Sequence, residues 1–261
     1  MLKILRSRLR QGHRTNRFPA ETPALPDRMR GRPTLAADRC LEGCRACVED
    51  CPTDAIVRDP ALRIDLGRCL FCPVCVEACP AEVIRFAPEH RLAARTRDGL
   101  RLAPDQAFPL AEALDAKARA LFGRSLKLRV VSAGGCNGCE VDVNVLSTIG
   151  WDLGRFGIQI VASPRHADAV VICGPITQNM ALATRKTLEA TPDPKLVIAV
   201  GACAISGGPF LHQPEQLGGC EGAGLPVDLY IPGCPPHPLT MLDGLLRLLG
   251  RLEGGKGPMV P

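Results

Sequence analysis

Five short runs rich in Val, Ile and Leu, at Leu126–Ser132, 159–162, Ala169–Cys173, 196–201 and Leu229–Ile231, alternate with segments of helical periodicity. Apolar runs of this length, bounded by Gly and Pro, predict strands of a parallel sheet covered on both faces. Helices are predicted at 140–149, 179–189 and 238–252, so this half of the chain reads as a doubly wound α/β domain. The first half is patterned differently. Ile56–Arg58 and 83–86 are isolated short runs, each following a dense group of cysteines, and they predict the small strands of an α+β unit. Between the halves, Arg91, Arg95, Arg97, Asp98, Asp105 and Lys117 are mixed with Ala and Leu. This stretch is expected to be a linker with one amphipathic helix over 107–121, docked on a neighbour and without chemistry of its own. The expected organisation is an arm (1–36), a small cysteine-rich domain (37–88), a charged linker (89–124) and the α/β domain (125–261).

Charge separates the arm from the rest. Residues 1–39 hold ten Lys/Arg and three Asp/Glu, a net of +7, whereas the remainder has a net of −2. Leu2, Leu5 and Leu9 fall on one side of a predicted helix with Lys3, Arg6, Arg8 and Arg10 around them, the pattern of a segment lying on an anionic lipid surface or in a partner's groove. A disordered basic leader is the alternative. Nucleic acid is not expected as a partner, because the arm has one aromatic residue, Phe18, and no recognisable binding fold follows it. The first residues lack the apolar stretch of a signal peptide, and no run approaches the roughly 18 residues of a membrane span. A reducing compartment is therefore expected, where clustered cysteines bind metal more often than they pair.

Twelve of the 14 cysteines fall into two arrangements. The first is a tandem array: Cys40, Cys44, Cys47 and Cys51-Pro52, then Cys69, Cys72, Cys75 and Cys79-Pro80. Three closely spaced thiolates wrap three corners of a cubane, and the Cys-Pro exit carries the fourth to the other cluster. One 4Fe-4S cluster is thus expected on Cys40, Cys44, Cys47 and Cys79, and a second on Cys69, Cys72, Cys75 and Cys51. The second run has the C-x2-C-x2-C-x3-C-P spacing, whereas Leu41, Glu42 and Gly43 put one extra residue after Cys40, which makes that cluster the least secure. Paired zinc sites are the alternative, although two Cys-Pro exits in an internal repeat have no use in a zinc ribbon.

The second arrangement is dispersed: Cys136-Asn137-Gly138-Cys139, Gly201-Ala202-Cys203 and Gly233-Cys234-Pro235-Pro236. Each segment follows a predicted strand. Ligands of open α/β sheets sit beyond the carboxyl ends of the strands, so Cys136, Cys139, Cys203 and Cys234 are expected to converge on a third 4Fe-4S cluster. Gly134, Gly135, Gly138, Gly201, Gly207, Gly208 and Gly233 would allow backbone amides to approach its sulfurs. No phosphate-binding glycine motif is present, and neither a catalytic triad nor a carboxylate pair offers independent catalysis.

Cys136-Asn137-Gly138-Cys139-Glu140, Ser163-Pro164-Arg165-His166-Ala167-Asp168, Gly201-Ala202-Cys203 with Gly207-Gly208, and Tyr230-Ile231-Pro232-Gly233-Cys234-Pro235-Pro236 are similar to the electron-transferring small subunit shared by membrane-associated NiFe hydrogenases and respiratory complex I. Residues 1–86 resemble the ferredoxin subunit of formate hydrogenlyase, through the basic arm, Phe18-Pro19 and Arg30-Gly31-Arg32-Pro33. The chain thus looks like two subunits fused. Complex I relatives typically have adjacent cysteines where Cys136 and Cys139 are separated here, and the separated form is similar to the hydrogenase branch. The resemblance implies a flavodoxin-like α/β domain and an electron-transfer subunit without its own catalytic residues. It also implies a NiFe large subunit and membrane subunits as partners, formate dehydrogenase or another enzyme as electron donor, and a peripheral position on the cytoplasmic side of the inner membrane. A complex I-like quinone oxidoreductase, a nickel-free relative and a free-standing ferredoxin-like carrier are the alternatives.

Six further residues carry weaker signals. Glu140 is a candidate proton relay, against the simpler reading of a carboxylate stabilised at a helix N-terminus. Arg165 and His166 are candidates for tuning the cluster or contacting the large subunit, with a structural role equally open. Cys173 is expected to be a buried strand thiol and Cys220 a loop thiol. His237 is expected to be structural.

Overall fold

The computed structural model describes residues 2–59, 61–104 and 106–252; Met1 of the arm, Pro60, Asp105 of the linker and 253–261 of the last domain lie outside the described residues. The arm opens with α1 (Leu2–Gln11), on which Leu2, Leu5 and Leu9 are all exposed. Beyond α1 the arm is anchored. Phe18 is buried, the Asn16 amide donates to Gly150 O (2.9 Å), and the Arg155 guanidinium donates to the carbonyls of Asn16 and Phe18.

The cysteine-rich unit has a repeated plan. Its elements are β1 (Pro33–Leu35), α2 (Ala46–Glu49), β2 (Ile56–Arg58), β3 (Leu62–Asp65), α3 (Val74–Glu77) and β4 (Ile84–Phe86). β1 pairs antiparallel with β4, Leu35 opposite Ile84, and β2 pairs antiparallel with β3, Ile56 opposite Ile64. From the linker, β5 (Arg101–Leu102) adds to the free side of β3. β1 is silent in the sequence because Pro33, Thr34 and Leu35 are too few to show alternation.

The linker helix is half the length its periodicity suggests. α4 covers only Ala116–Phe122, starting where the Asp115 carboxylate accepts the Ala118 amide at 2.9 Å. Pro109 has no amide to give a helix and disfavours helical geometry before it. The amides of Ala111 and Leu114 instead bond Ala93 O and Leu248 O, both at 2.9 Å, so the tertiary contacts outcompete local propensity.

The second domain comprises β6 (Leu126–Ser132), α5 (Gly138–Val145), β7 (Ile158–Ile160), β8 (Ala169–Cys173), α6 (Gln178–Ala190), β9 (Leu196–Val200), α7 (Ala202–Ser206), α8 (Gly219–Gly222), β10 (Leu229–Ile231) and α9 (Pro238–Leu248). All five strands are parallel, in the order β10-β9-β8-β6-β7. Counted within the domain this is the 2-1-3-4-5 order of flavodoxin-like sheets, as the expected fold class requires, and its switch point lies between β6 and β8. The edge at β10 is covered by the linker, where Ala94 and Tyr230 exchange backbone bonds of 3.0 and 2.9 Å.

Period two along the strands divides the sheet's side chains between two cores. Leu128, Val171, Ile198 and Val200 belong to a core with α9, α5 and Phe18. Val131, Val170, Ile172, Val197 and Ala199 belong to another that continues through Ile176 and Ile205 to Leu66, Ile64 and Phe71 of the cysteine-rich unit. The second core is therefore shared by the α/β domain and the cysteine-rich unit, and the two are packed together rather than strung on a flexible tether.

Candidate metal centres

The thiols gather in three groups of four. In the first, burial raises the Cys47 thiol, and nearby Cys79, Cys40 and Cys44 raise it further. The extra residue after Cys40 is taken up by a turn in which the Cys44 amide donates to Leu41 O (3.2 Å) and Gly43 sits at φ +72°. A left-handed glycine lengthens the loop without turning Cys44 away from its companions. The Arg58 guanidinium bonds the Cys44 carbonyl and holds that turn against β2.

In the second group, burial pushes the Cys69 thiol up to about 12, with Cys75, Cys51 and Cys72 as its like-charged neighbours. These four thiols line one apolar cavity together with Ile56 and Ile64. The repeat is visible in the backbone as well. Asp54 and Glu82, each three residues after a Cys-Pro cysteine, both stand at φ +50°, and the next amides, Ala55 and Val83, donate to Cys51 Sγ and Cys79 Sγ at 3.3 Å. Phe71, itself at φ +55°, donates its amide to Cys69 Sγ at 3.3 Å. Amides aimed at sulfur stabilise thiolate charge in a site that burial would otherwise keep protonated.

The third group lies at the carboxyl ends of β6, β9 and β10. Burial raises the Cys139 thiol beyond the ordinary range, and Cys203, Cys234, Glu140 and Cys136 add to the shift. Burial pushes Cys203 up to about 12, with Cys234 and Cys136 beside it. Cys136 and Cys234 are exposed, so this group opens onto the surface. Its glycines are tightly constrained: a Cβ on Gly201 would lie 2.5 Å from Cys139 Sγ, and one on Gly208 would lie 3.1 Å from Cys203 Sγ.

Electrostatic influence also passes from one group to the next. Cys75 of the second group, raised to about 11 by burial and then by Cys72 and Cys51, is also within reach of Cys47 of the first. Cys234 of the third, raised by burial and Cys136, is within reach of Cys72 of the second. Among the described residues no three His, Cys, Asp or Glu side chains approach closely enough to share one metal ion.

Glu140 is buried in the first turn of α5, where Ser132 Oγ donates to its Oε1 at 2.6 Å. Cys173 is fully buried at the end of β8, its thiol raised by burial and by neighbouring Cys139 and Glu140. Cys220 is on α8 and fully buried, not on an open loop; burial pushes its thiol up to about 12. His237 caps α9, its Nδ1 accepting the Leu239 amide at 3.1 Å, and its ring meets Trp151 edge-on. Arg165 and His166 are exposed in a turn before β8, at the amino end of the sheet, opposite the thiols, so they do not tune the third group. Sequence reasoning missed the role of Arg97, whose contacts only the folded linker reveals.

Residues 136–248 match the family model described as NADH ubiquinone oxidoreductase, 20 Kd subunit. Over 131 residues the chain is 40% identical to the probable membrane-bound hydrogenase subunit mbhJ of Pyrococcus furiosus, an overlap of 50% of this chain and 78% of that one. The chain belongs to this family. It is 43% identical over 130 residues to formate hydrogenlyase subunit 7 of Escherichia coli, covering 50% of this chain and about half, 51%, of that subunit's length. It is 44% identical over 116 residues to an NADH-quinone oxidoreductase subunit of Bacteroides thetaiotaomicron, covering 44% and 58% of the two chains. The family is thus one of subunits of oxidoreductase complexes, some of them membrane-bound, and no helix among the described residues is long and apolar enough to cross a membrane. The family match begins at the third thiol group and leaves the tandem array outside it.

Proposed function

We propose that this chain is the iron-sulfur subunit of a membrane-associated, hydrogenase-type complex and that it holds three 4Fe-4S clusters. Cys40, Cys44, Cys47 and Cys79 would hold the first, Cys69, Cys72, Cys75 and Cys51 the second, and Cys136, Cys139, Cys203 and Cys234 the third. The observation that carries this reading is the sorting of twelve thiols into three groups of four, linked in series by Cys47 beside Cys75 and Cys72 beside Cys234. Such clusters supply one-electron transfer. The chain's part is to fix their order, to keep the middle site dry, and to aim the amides of Ala55, Phe71 and Val83 at sulfur.

The exposed Cys136 and Cys234 leave the third site open to a partner, and we assign that partner as a NiFe large subunit, because the Asn137-Gly138 spacing is similar to the hydrogenase branch. The arm helix α1, with four basic side chains and exposed Leu2, Leu5 and Leu9, suits the surface of an anionic membrane, and we place the subunit peripherally on its cytoplasmic side with membrane subunits of the complex. Formate dehydrogenase or another enzyme would exchange electrons at the first site. The tandem array ahead of the family domain is read as a fused ferredoxin subunit. Affinity purification of the complex through this chain tests the assignment: stoichiometric nickel in the partner and hydrogen evolution from a reduced dye are expected. Quinone reduction by a nickel-free complex would instead establish the second reading, which the 44% identity to an NADH-quinone oxidoreductase subunit supports.

A further inference from the structure

One side chain of the linker bonds both the cysteine-rich unit and the α/β domain. Arg97 Nη1 and Nη2 donate to the two carboxylate oxygens of Asp65 at 2.7 and 2.6 Å, and its Nε donates to Glu221 Oε2 at 3.0 Å. Asp65 ends β3 and governs the loop that carries Cys69: its carbonyl accepts the Cys69 amide (3.0 Å), and its Oδ1 accepts the Gly67 amide (2.9 Å). Glu221 is on α8, whose first residue, Gly219, is packed so closely on α7 that a Cβ there would lie 2.6 Å from Cys203 O. A parallel bond runs directly between the units, from buried Ser206 Oγ on α7 to Gly67 O at 2.9 Å. Gly67 itself is trapped, since a Cβ would meet Arg97 Nη1 and Ile205 Cγ2, each at 2.8 Å.

From this geometry we propose that Arg97 is a positioning residue for electron transfer: with Asp65 and Glu221 it clamps the Cys69 loop to the α7–α8 unit and so fixes the spacing between the second and third clusters. A planar guanidinium is suited to the task, because its fork fills both oxygens of one carboxylate while the remaining Nε reaches a second acceptor. Lysine offers a point charge and cannot hold both. The Arg97 and Asp65 side chains are largely buried, 14% and 18% exposed, so the pair is shielded from the screening that makes surface pairs weak. The first and second clusters need no such device, since the Cys-Pro exits already interlock them within one small fold.

The proposal rests on the three-cluster reading, and its test separates the two. In the full chain, purified anaerobically and reduced, Arg97→Gln should keep the wild-type iron content and the individual paramagnetic signals. It should weaken the magnetic coupling between the second and third clusters, while that between the first and second is unchanged. Arg97→Lys should restore little of the lost coupling. Unaltered second-to-third coupling in Arg97→Gln would overturn the clamp. If the wild-type chain binds no iron, the three-cluster reading fails, and hydrogen exchange still tests the clamp: amides of 66–69 and of 219–223 should exchange together, roughly tenfold faster in the variant, as expected for losing charged hydrogen bonds. Unchanged exchange in both segments would refute it. Should Arg97→Gln fail to fold, Glu221→Gln removes only the outer half of the clamp and is read in the same two ways.

Discussion

Replacing Gly201 by alanine should remove the third cluster while leaving the other two in place. Gly201 stands at φ +88° and ψ +158°, a region essentially restricted to glycine, and an added Cβ would lie 2.5 Å from Cys139 Sγ. The backbone cost is about 1–3 kcal/mol, and forcing an extra methyl into a packed site adds about 1–3 kcal/mol, so the change costs roughly 2–6 kcal/mol if the two add. That is comparable with the whole stability of a typical domain, about 5–15 kcal/mol, but relief is available locally by displacing the Cys139 sulfur. Relief by that route breaks the third set of thiols and spares Cys40–Cys79, which lie in the other unit. Iron and labile sulfide analysis of the folded variant should therefore show a loss of about four irons out of about twelve, with the spectroscopic signature of a two-cluster ferredoxin retained. A folded Gly201→Ala chain with full iron content would show that the steric argument about Cys139 is wrong.

Other outcomes follow from separate parts of the molecule. Cys51→Ser should cost about four irons from the site shared with Cys69, Cys72 and Cys75, although Cys51 belongs to the first run, and loss of the Cys47 site instead would refute the crossed assignment. His90 is buried beside Arg91, Arg247, Glu89 and Asp243, and burial lowers its pKa to about 4. The unfolded chain therefore binds a proton between about pH 6.5 and 4 that the folded chain refuses, so stability falls as pH falls through that window. Relative to His90→Gln, urea midpoints should show a loss of about 2 kcal/mol between pH 7 and 5, and parallel pH profiles would count against it. Deleting residues 2–11 removes Lys3, Arg6, Arg8 and Arg10, each worth ~1 kcal/mol near an anionic surface, and should weaken co-sedimentation with phosphatidylserine vesicles roughly a hundredfold or more without changing iron content. Equal binding by the truncated chain would exclude α1 as the membrane contact.

Much of the α/β domain is legible because its central strands β8 and β9 are buried on both faces, and uninterrupted runs such as Ala169–Cys173 have few alternatives. The turn glycines are legible for a related reason, since Gly201 and Gly208 stand where a side chain would strike a thiol. Tertiary partners decide the rest. The periodicity of 107–121 suggests a full helix, but the amides of Ala111 and Leu114 are taken by Ala93 and Leu248, which no local pattern announces. Arg97 looks like one charge among several in a polar linker until Asp65 and Glu221, distant in sequence, close around it. Arg165 and His166 mislead in the opposite sense. They sit in a recognisable motif, yet the parallel register puts the start of β8 at the far end of the sheet from the cysteines.

Three sets of four thiols are each expected to hold a four-iron cluster. Metal and acid-labile sulfide analysis of the full chain, expressed with iron-sulfur assembly and purified without oxygen, tests it most directly. About twelve irons and about twelve sulfides per chain are expected. Eight irons, or zinc without sulfide, would contradict it.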